Sequence, residues 1–185
     1  MPFTIAVIVG SLRAGSFNRQ LAEALIRLPA ASGHEFTFAD IGSLPLYNQD
    51  DDADQPQAAK ALKSLVSASD GVLFLTPEYN RSMPGVLKNA LDHGSRPYGE
   101  SCWAGKPAGV MGTSLGKPGT AMAQQHLRNV LAYLDMPALC QPEVFVQWSD
   151  DLLTADGTVG EGSHDFLNGW MEAFLNLVEA HPAAK

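Results

Sequence analysis

The segment 10–18 is rich in side chains that can bind an anion. It reads GSLRAGSFN, follows a short apolar run and comes directly before a helical pattern. Ser11, Ser16 and Asn18 can donate hydrogen bonds, and Arg13 adds a positive charge. Because the N–H groups and the dipole of a helix N-terminus also favour an anion, the segment predicts a site for a phosphate monoester. In the alternative interpretation, Ser16 only caps the helix and Arg13 is solvated.

The segment 76–85 is a second candidate for ligand binding. It reads TPEYNRSMPG and also follows an apolar run. Pro77 and Pro84 restrict its backbone, while Tyr79 supplies a flat aromatic ring that could lie against a ligand. The same composition fits a rigid connector in which Tyr79 packs on a neighbouring element. Composition alone leaves both interpretations open.

Both segments lie in a chain whose apolar residues alternate between strand-like and helix-like patterns. Short apolar runs predict strands over 3–9, 36–41, 71–75, 108–111 and 143–148. Helical spacing predicts helices over 18–29 and 55–69, after Pro84, and over 121–134 and 166–178. This alternation indicates βαβ units with right-handed crossovers and a parallel sheet. In such a sheet, ligands bind beyond the carboxyl ends of the strands, where the strand order switches.

Length and composition restrict the class of protein. The chain has 185 residues, of which 45% are hydrophobic and 17% charged, so we expect one folded domain over 1–185. A net charge of −8 disfavours nucleic acid and anionic membranes as partners. No apolar run approaches the ~20 residues of a membrane span, and we expect a cytoplasmic location. Cys102 and Cys140 are too few for a disulfide scaffold, and the histidines lack metal-ligand spacing, so we expect no metal site.

Taken together, the two polar segments resemble the NADPH-dependent FMN reductase family, a group of flavodoxin-like flavoenzymes that includes quinone, azo-dye and chromate reductases. The resemblance rests on GSLR with Ser16 and Asn18, on PEYN-x-S-x-PG-x-LKNA-x-D over 77–92, and on Q-x-HLR over 124–128. It implies an α/β fold: a flavodoxin-like, doubly wound, five-stranded parallel sheet in the order 2-1-3-4-5, within a three-layer sandwich. FMN would bind at the switch between strands 1 and 3.

The resemblance also implies which residues hold FMN. The phosphate would lie against Ser11, Arg13, Ser16, Phe17 and Asn18. The isoalloxazine would lie along Pro77, Glu78, Tyr79, Asn80 and Ser82, with Thr113, Ser114 and Gly116 closing the other side. NADPH or NADH would be the cosubstrate, and a quinone, flavin, azo compound or chromate would accept the electrons. Because FMN carries the chemistry, no side chain is assigned a catalytic role. The chain departs from the family pattern at His93, Thr120 and Met122, which bears on the choice between NADPH and NADH.

Three other functions fit parts of the sequence. The segment 112–116 reads GTSLG, which matches the G-x-S-x-G of a hydrolase nucleophile elbow, and Asp156 and His164 follow in the required order. However, Gly116, Pro118 and Gly119 delay the helix that should begin behind the serine. A flavodoxin-type electron carrier without NAD(P)H activity would share the fold. A chain that has lost FMN could serve as an interaction module.

The apolar residues near the predicted fourth helix suggest an oligomer. The sheet can bury only one stripe of that helix, which leaves further apolar residues exposed, namely Met122, Tyr133, Met136 and Leu139. The loop before strand four adds Tyr98, Cys102 and Trp103. An exposed patch of this size favours a homodimer, or a tetramer built from two dimers. The resemblance implies the same, with sites at the subunit boundary. Alternatively, Tyr98 and Trp103 fold back on their own sheet.

Overall fold

The computed structural model describes residues 1–182. Its strands are β1 (Thr4–Val9), β2 (Glu35–Phe38), β3 (Gly71–Leu75), β4 (Ala108–Ser114) and β5 (Phe145–Gln147). Its α-helices are α1 (Phe17–Leu25), α2 (Gln57–Ala68), α3 (Gly85–Gly94), α4 (Ala121–Tyr133) and α5 (Glu161–Ala180). Short 3₁₀ helices cover Pro29–Ala31 and Gln49–Asp54. Strands and helices therefore alternate as the sequence predicts.

The five strands form one sheet in the order β2-β1-β3-β4-β5, and every neighbouring pair is parallel. This confirms the predicted order. In the register of the central strands, Val9 lies beside Leu75, and Leu75 lies beside Met111. The carboxyl ends of β1 and β3 are therefore level, and β4 continues three residues past them to Ser114. The loops that follow the three strands meet at this edge of the sheet.

The sheet is buried on both faces, which makes the fold a three-layer sandwich. Ile5 and Val7 of β1 point to the side that holds α1 and α5, where Trp170 is fully buried. Ala6 and Ile8 point to the opposite side, which α2, α3 and α4 cover. This two-sided burial explains why the strand sequences are continuous apolar runs rather than alternating patterns. Within residues 1–182, none of the helices combines the length and the apolar character needed to cross a membrane.

Several predicted boundaries are wrong. β4 continues through Ser114, three residues beyond the predicted end, because Gly112–Ser114 pair with β5. The sequence of residues 112–114 has no strand pattern, because these residues become a strand only through their tertiary contact with β5. The α5 helix begins at Glu161 rather than at 166, and Ile41 lies outside β2, buried on the α2–α3 side.

Four residues that were expected to be exposed near α4 are buried, namely Cys102, Trp103, Met136 and Leu139. The side chain of Trp103 is fully buried, packs near Phe74 and donates from Nε1 to the Leu91 carbonyl at 2.9 Å. Burial raises the pKa of the Cys102 thiol to about 12. Trp103 therefore folds back on its own sheet, and the exposed patch is smaller than predicted.

Candidate active site

The loop after β1 is held in a tight turn that begins α1. The Ser16 hydroxyl accepts a hydrogen bond from the Arg19 N–H at 3.2 Å, and the Ser16 N–H donates to the Arg13 carbonyl at 3.0 Å. Ser16 is thus the N-cap of α1, as in the alternative interpretation from the sequence. The cap uses the hydroxyl oxygen only as an acceptor, so the hydroxyl proton can still be donated to a ligand.

The same loop keeps several donors without a protein acceptor. Across residues 1–182, no hydrogen bond engages the backbone N–H groups of residues 12–15 or the Ser11 hydroxyl. Residues 12–15 are also exposed. Arg13 donates to the Gly15 carbonyl but forms no ion pair with a carboxylate of the described chain. Clustered donors at the start of a helix fit a phosphate group, which offers only acceptor oxygens.

Asn18 joins this loop to the end of β4. Its side chain is buried, its Nδ2 donates to the Thr113 carbonyl at 2.9 Å, and its Oδ1 accepts from the Thr113 N–H at 2.9 Å. The side-chain amide of Asn18 therefore holds the loop against β4, and its contact with the FMN phosphate stays a prediction. Thr113 is buried beneath the loop, and nothing in the structure explains why its Oγ1 lacks a partner. The two hydrogen bonds between these residues fix the start of α1 to the end of β4.

An aromatic stack lies beside the loop. The Phe17 ring packs on the Trp148 indole with a centroid distance of 4.3 Å and an angle of 25°. The Arg13 guanidinium carbon lies 4.8 Å from the Phe17 centroid, within cation–π range. Trp148 was not predicted as a site residue. The signal was its position at the end of the fifth predicted strand, at the same edge of the sheet as the other loops.

The loop after β3 forms a stiff turn that presents Tyr79. The backbone N–H and carbonyl of Tyr79 exchange hydrogen bonds with those of Ser82 at 2.9 and 3.0 Å. At the tip, Asn80 and Arg81 have φ values of 51° and 64°, a left-handed pair that closes a two-residue hairpin turn. The Tyr79 side chain is 52% exposed, so it does not pack away into the core. Such backbone strain is common at ligand sites.

Glu78 points from this loop to the start of α4. Its Oε2 accepts hydrogen bonds from the N–H groups of Met122 and Ala123 at 3.1 and 3.2 Å. Thr120, the residue before α4, has a φ of 69° and makes no side-chain cap. Glu78, which is distant in sequence, therefore caps the helix instead. A carboxylate at a helix N-terminus is favourable. Glu78 therefore fastens the β3 loop to α4, and Ser82 adds a second link at 2.9 Å to His126.

The end of β4 is tied to the end of β5. The Ser114 hydroxyl donates to the Gly116 carbonyl at 3.2 Å, while the Trp148 N–H donates to the Ser114 carbonyl at 2.8 Å. The loops after β1, β3 and β4 thus form one connected edge. Three groups of predicted site residues lie along this edge, one in each loop: Ser11, Arg13, Ser16 and Phe17 after β1, residues 77–82 after β3, and residues 114–116 at the end of β4.

The hydrolase interpretation fails on this geometry. Ser114 lies inside β4, and α4 begins only at Ala121, so no helix starts behind the serine as an elbow requires. Asp156 bonds to Thr154, and His164 bonds to Asp165 at 3.2 Å. Within the part of the chain that the structure describes, neither of them is hydrogen-bonded to the Ser114 hydroxyl.

Comparisons with known proteins give the same assignment as the sequence motifs. The model of the family described as NADPH-dependent FMN reductase matches residues 3–150. A 2-hydroxy-1,4-benzoquinone reductase from a Burkholderia species is 53% identical over 179 residues, covering 96% of this chain and 97% of the relative. A quinone reductase from Pseudomonas putida is 42% identical over 182 residues, covering 98% and 97%.

A solved structure agrees over nearly the whole chain. The flavoenzyme NAD(P)H:(acceptor) oxidoreductase FerB from Paracoccus denitrificans has a TM-score of 0.93 and 45% identity, and the match covers 97% of this chain and 99% of FerB. These matches confirm the flavodoxin-like fold, the FMN cofactor and the dependence on NAD(P)H that the resemblance implied. The chain belongs to the NADPH-dependent FMN reductase family.

Proposed function

We propose that this chain is an NAD(P)H-dependent quinone reductase whose FMN sits on the three connected loops at the carboxyl edge of the sheet. The observation that carries the placement is the loop after β1, in which the N–H groups of residues 12–15 and the Ser11 hydroxyl have no acceptor within residues 1–182. When bound, FMN would take two electrons from NAD(P)H and pass them to the acceptor.

In this proposal, the side chains of the site bind FMN and fix its position. Ser11, Arg13 and Ser16 hold the phosphate, and Phe17 supports Arg13. On one side of the isoalloxazine lie the segment from Pro77 and the turn of Tyr79, Asn80 and Ser82, and on the other side lie Ser114 and Gly116. Glu78, Asn18 and Thr113 fix these loops to one another, as their hydrogen bonds within the described residues indicate. The two N–H donors and the dipole at the start of α4 offset part of the negative charge of the Glu78 carboxylate.

A small benzoquinone is the acceptor that we favour. The relative with 53% identity is named for 2-hydroxy-1,4-benzoquinone, and the half-exposed Tyr79 leaves an open edge for a flat molecule. The purified protein with FMN should oxidise NADPH through many turnovers when a benzoquinone is the only acceptor. A flavodoxin-type carrier would show no such turnover without a separate reductase. The proteins reported above are named as quinone reductases or as an NAD(P)H:(acceptor) oxidoreductase, so they give no support to the carrier.

NAD(P)H and the quinone should follow ping-pong kinetics. In this proposal, donor and acceptor use the same face of the flavin in turn, so the first product would leave before the second substrate binds. Initial rates measured across a grid of NADPH and benzoquinone concentrations should give parallel double-reciprocal lines. Intersecting lines would contradict the single shared face and require a ternary complex.

We also propose that two chains pair through the exposed face of α4. Tyr98 and Tyr133 are 88% and 85% exposed and line one depression together with Leu134. Two large aromatic rings in one exposed groove favour a protein partner, and a second copy would be related by a twofold axis. A tetramer would be two such dimers. We further propose that residues 1–185 form a single domain. We also propose that the protein is located in the cytoplasm, where NAD(P)H is supplied.

Light scattering at micromolar concentration should give the mass of two chains or of four. Replacing Tyr133 by Asp places a charge in the groove and should lower that mass, because burying an unpaired carboxylate is costly. The matched control is Phe166→Asp on α5, an exposed aromatic outside the groove, which should leave the mass unchanged. The mass of one chain, together with full activity with NADPH and benzoquinone, would overturn the dimer.

A further inference from the structure

Trp148 lies next to the phosphate loop without belonging to it. Its backbone is fixed at the end of β5 by the hydrogen bond from its N–H to the Ser114 carbonyl at 2.8 Å. Its indole is half-buried and packs on Phe17, the first residue of α1, with 4.3 Å between the ring centroids. Because α1 follows the loop directly, this contact ties the entry of the helix to the outermost strand of the sheet.

Arg13 is the group that this contact can influence. Its guanidinium lies over the Phe17 ring and donates to the Gly15 carbonyl, and no carboxylate of residues 1–182 forms an ion pair with it. A long side chain on an exposed loop loses much of its rotamer freedom when it binds an anion. An arginine already held against an aromatic ring loses less, so its bond to a phosphate contributes more.

We propose that Trp148 is a positioning residue for the FMN phosphate: it supports the Phe17 ring, and the Phe17 ring holds Arg13 in the orientation that binds the phosphate. Trp148 itself touches neither the phosphate nor the reacting atoms. The inference rests on the proposed placement of FMN and adds to it a residue outside the three loops. The competing interpretation is that Trp148 only packs the end of β5.

Flavin affinity with and without the phosphate separates the two interpretations. FMN and riboflavin share the isoalloxazine and the ribityl chain, but only FMN carries the phosphate. Trp148→Ala should weaken FMN binding about threefold to tenfold, the range that one aromatic or cation–π contact provides. Riboflavin binding should not change. Trp148→Phe, which keeps an aromatic ring on Phe17, should restore most of the FMN affinity. Dissociation constants come from quenching of flavin fluorescence.

A double substitution tests the route through Arg13. If Trp148 acts by holding Arg13, then Trp148→Ala should have no further effect on FMN binding in the Arg13→Ala background. The matched control is Phe145→Ala. Phe145 is a half-exposed aromatic residue of β5, the strand that Trp148 follows, and among the described residues it makes no ring contact with Phe17. This control should keep the wild-type ratio of riboflavin to FMN dissociation constants.

Each outcome bears on a different claim. Equal losses for FMN and riboflavin in Trp148→Ala, or additive losses in the double variant, would overturn the positioning role and leave only packing. Circular dichroism of the flavin-free variant checks its fold, and Trp148→Phe supplies the same comparison if the alanine variant does not fold. If the wild-type protein binds riboflavin as tightly as FMN, the phosphate placement itself fails. If Arg13→Ala lowers the FMN preference and Trp148→Ala does not, only the present inference fails.

Discussion

Replacing Arg13 by Ala is expected to weaken FMN binding about tenfold to a hundredfold. A hydrogen bond to an ionised group contributes ~1.5–3 kcal/mol, and about 1.4 kcal/mol corresponds to a factor of ten. Arg13 is exposed and, among residues 1–182, lacks a carboxylate partner, so its removal leaves no buried charge behind. The free energy of unfolding should therefore stay near that of the wild type. Flavin fluorescence titration measures the affinity.

The control for Arg13→Ala removes the same charge elsewhere. Lys60 on α2 is paired with Asp54 at 2.6 Å and both side chains are exposed, so Lys60→Ala changes the net charge of −8 by the same amount at little cost in stability. FMN affinity should be unchanged in this variant. If Arg13→Ala also keeps full FMN affinity, or loses riboflavin affinity equally, the phosphate does not lie on this loop.

Replacing Gly112 by Ala is expected to lower the free energy of unfolding by about 3 kcal/mol or more. A Cβ at this position would lie 2.1 Å from the Thr76 carbonyl oxygen and 2.4 Å from Thr120 Oγ1. The Thr76 oxygen is main chain, and the Thr76 N–H is bonded to the Met111 carbonyl at 3.0 Å, so β3 and β4 would have to separate. Overpacking of this kind costs about 1–3 kcal/mol and sometimes more.

Urea unfolding followed by circular dichroism measures this change. The midpoint should fall clearly, and the melting temperature should drop by about 6–12 °C or more, since 1 kcal/mol corresponds to roughly 2–4 °C at this size. Gly169→Ala is the matched control, because a Cβ at this position on α5 would meet open space. A glycine replaced by alanine in a helix should be neutral or slightly stabilising. An unchanged midpoint in Gly112→Ala would show that the close approach of β3 and β4 is wrong.

The strand pattern and the positions of the two polar segments could be predicted because they depend on local sequence. Continuous apolar runs indicate strands buried on both faces, and their alternation with helices indicates a parallel sheet. The strand order came from the family resemblance. The end of β4 could not be predicted, because Thr113 and Ser114 are polar and become strand residues only through pairing with β5. Trp103 was misplaced for a similar reason: it fills the space that Gly94 leaves, where a Cβ would lie 2.5 Å from its ring.

The sequence predicts which residues lie near the site more readily than it predicts what each side chain contacts there. The family resemblance implies that Asn18 and Glu78 contact FMN, which stays a prediction, and the structure adds that both join loops through hydrogen bonds. An amide or a carboxylate near a ligand looks the same in sequence whether it binds the ligand or the neighbouring backbone. The contacts with the backbone depend on the positions of β4 and of the α4 N-terminus, which are set by tertiary packing and have no local sequence signal.

The central claim is that this chain holds FMN and moves electrons from NAD(P)H to a quinone without another protein. The most direct test is an anaerobic titration of the purified protein reconstituted with FMN, followed by its visible flavin absorbance. NADPH should bleach the bound flavin fully at about one equivalent, because two electrons are transferred per cofactor, and about one equivalent of benzoquinone should restore the absorbance. Failure to retain FMN on gel filtration, or retained FMN that NADPH and NADH do not bleach, would contradict the account.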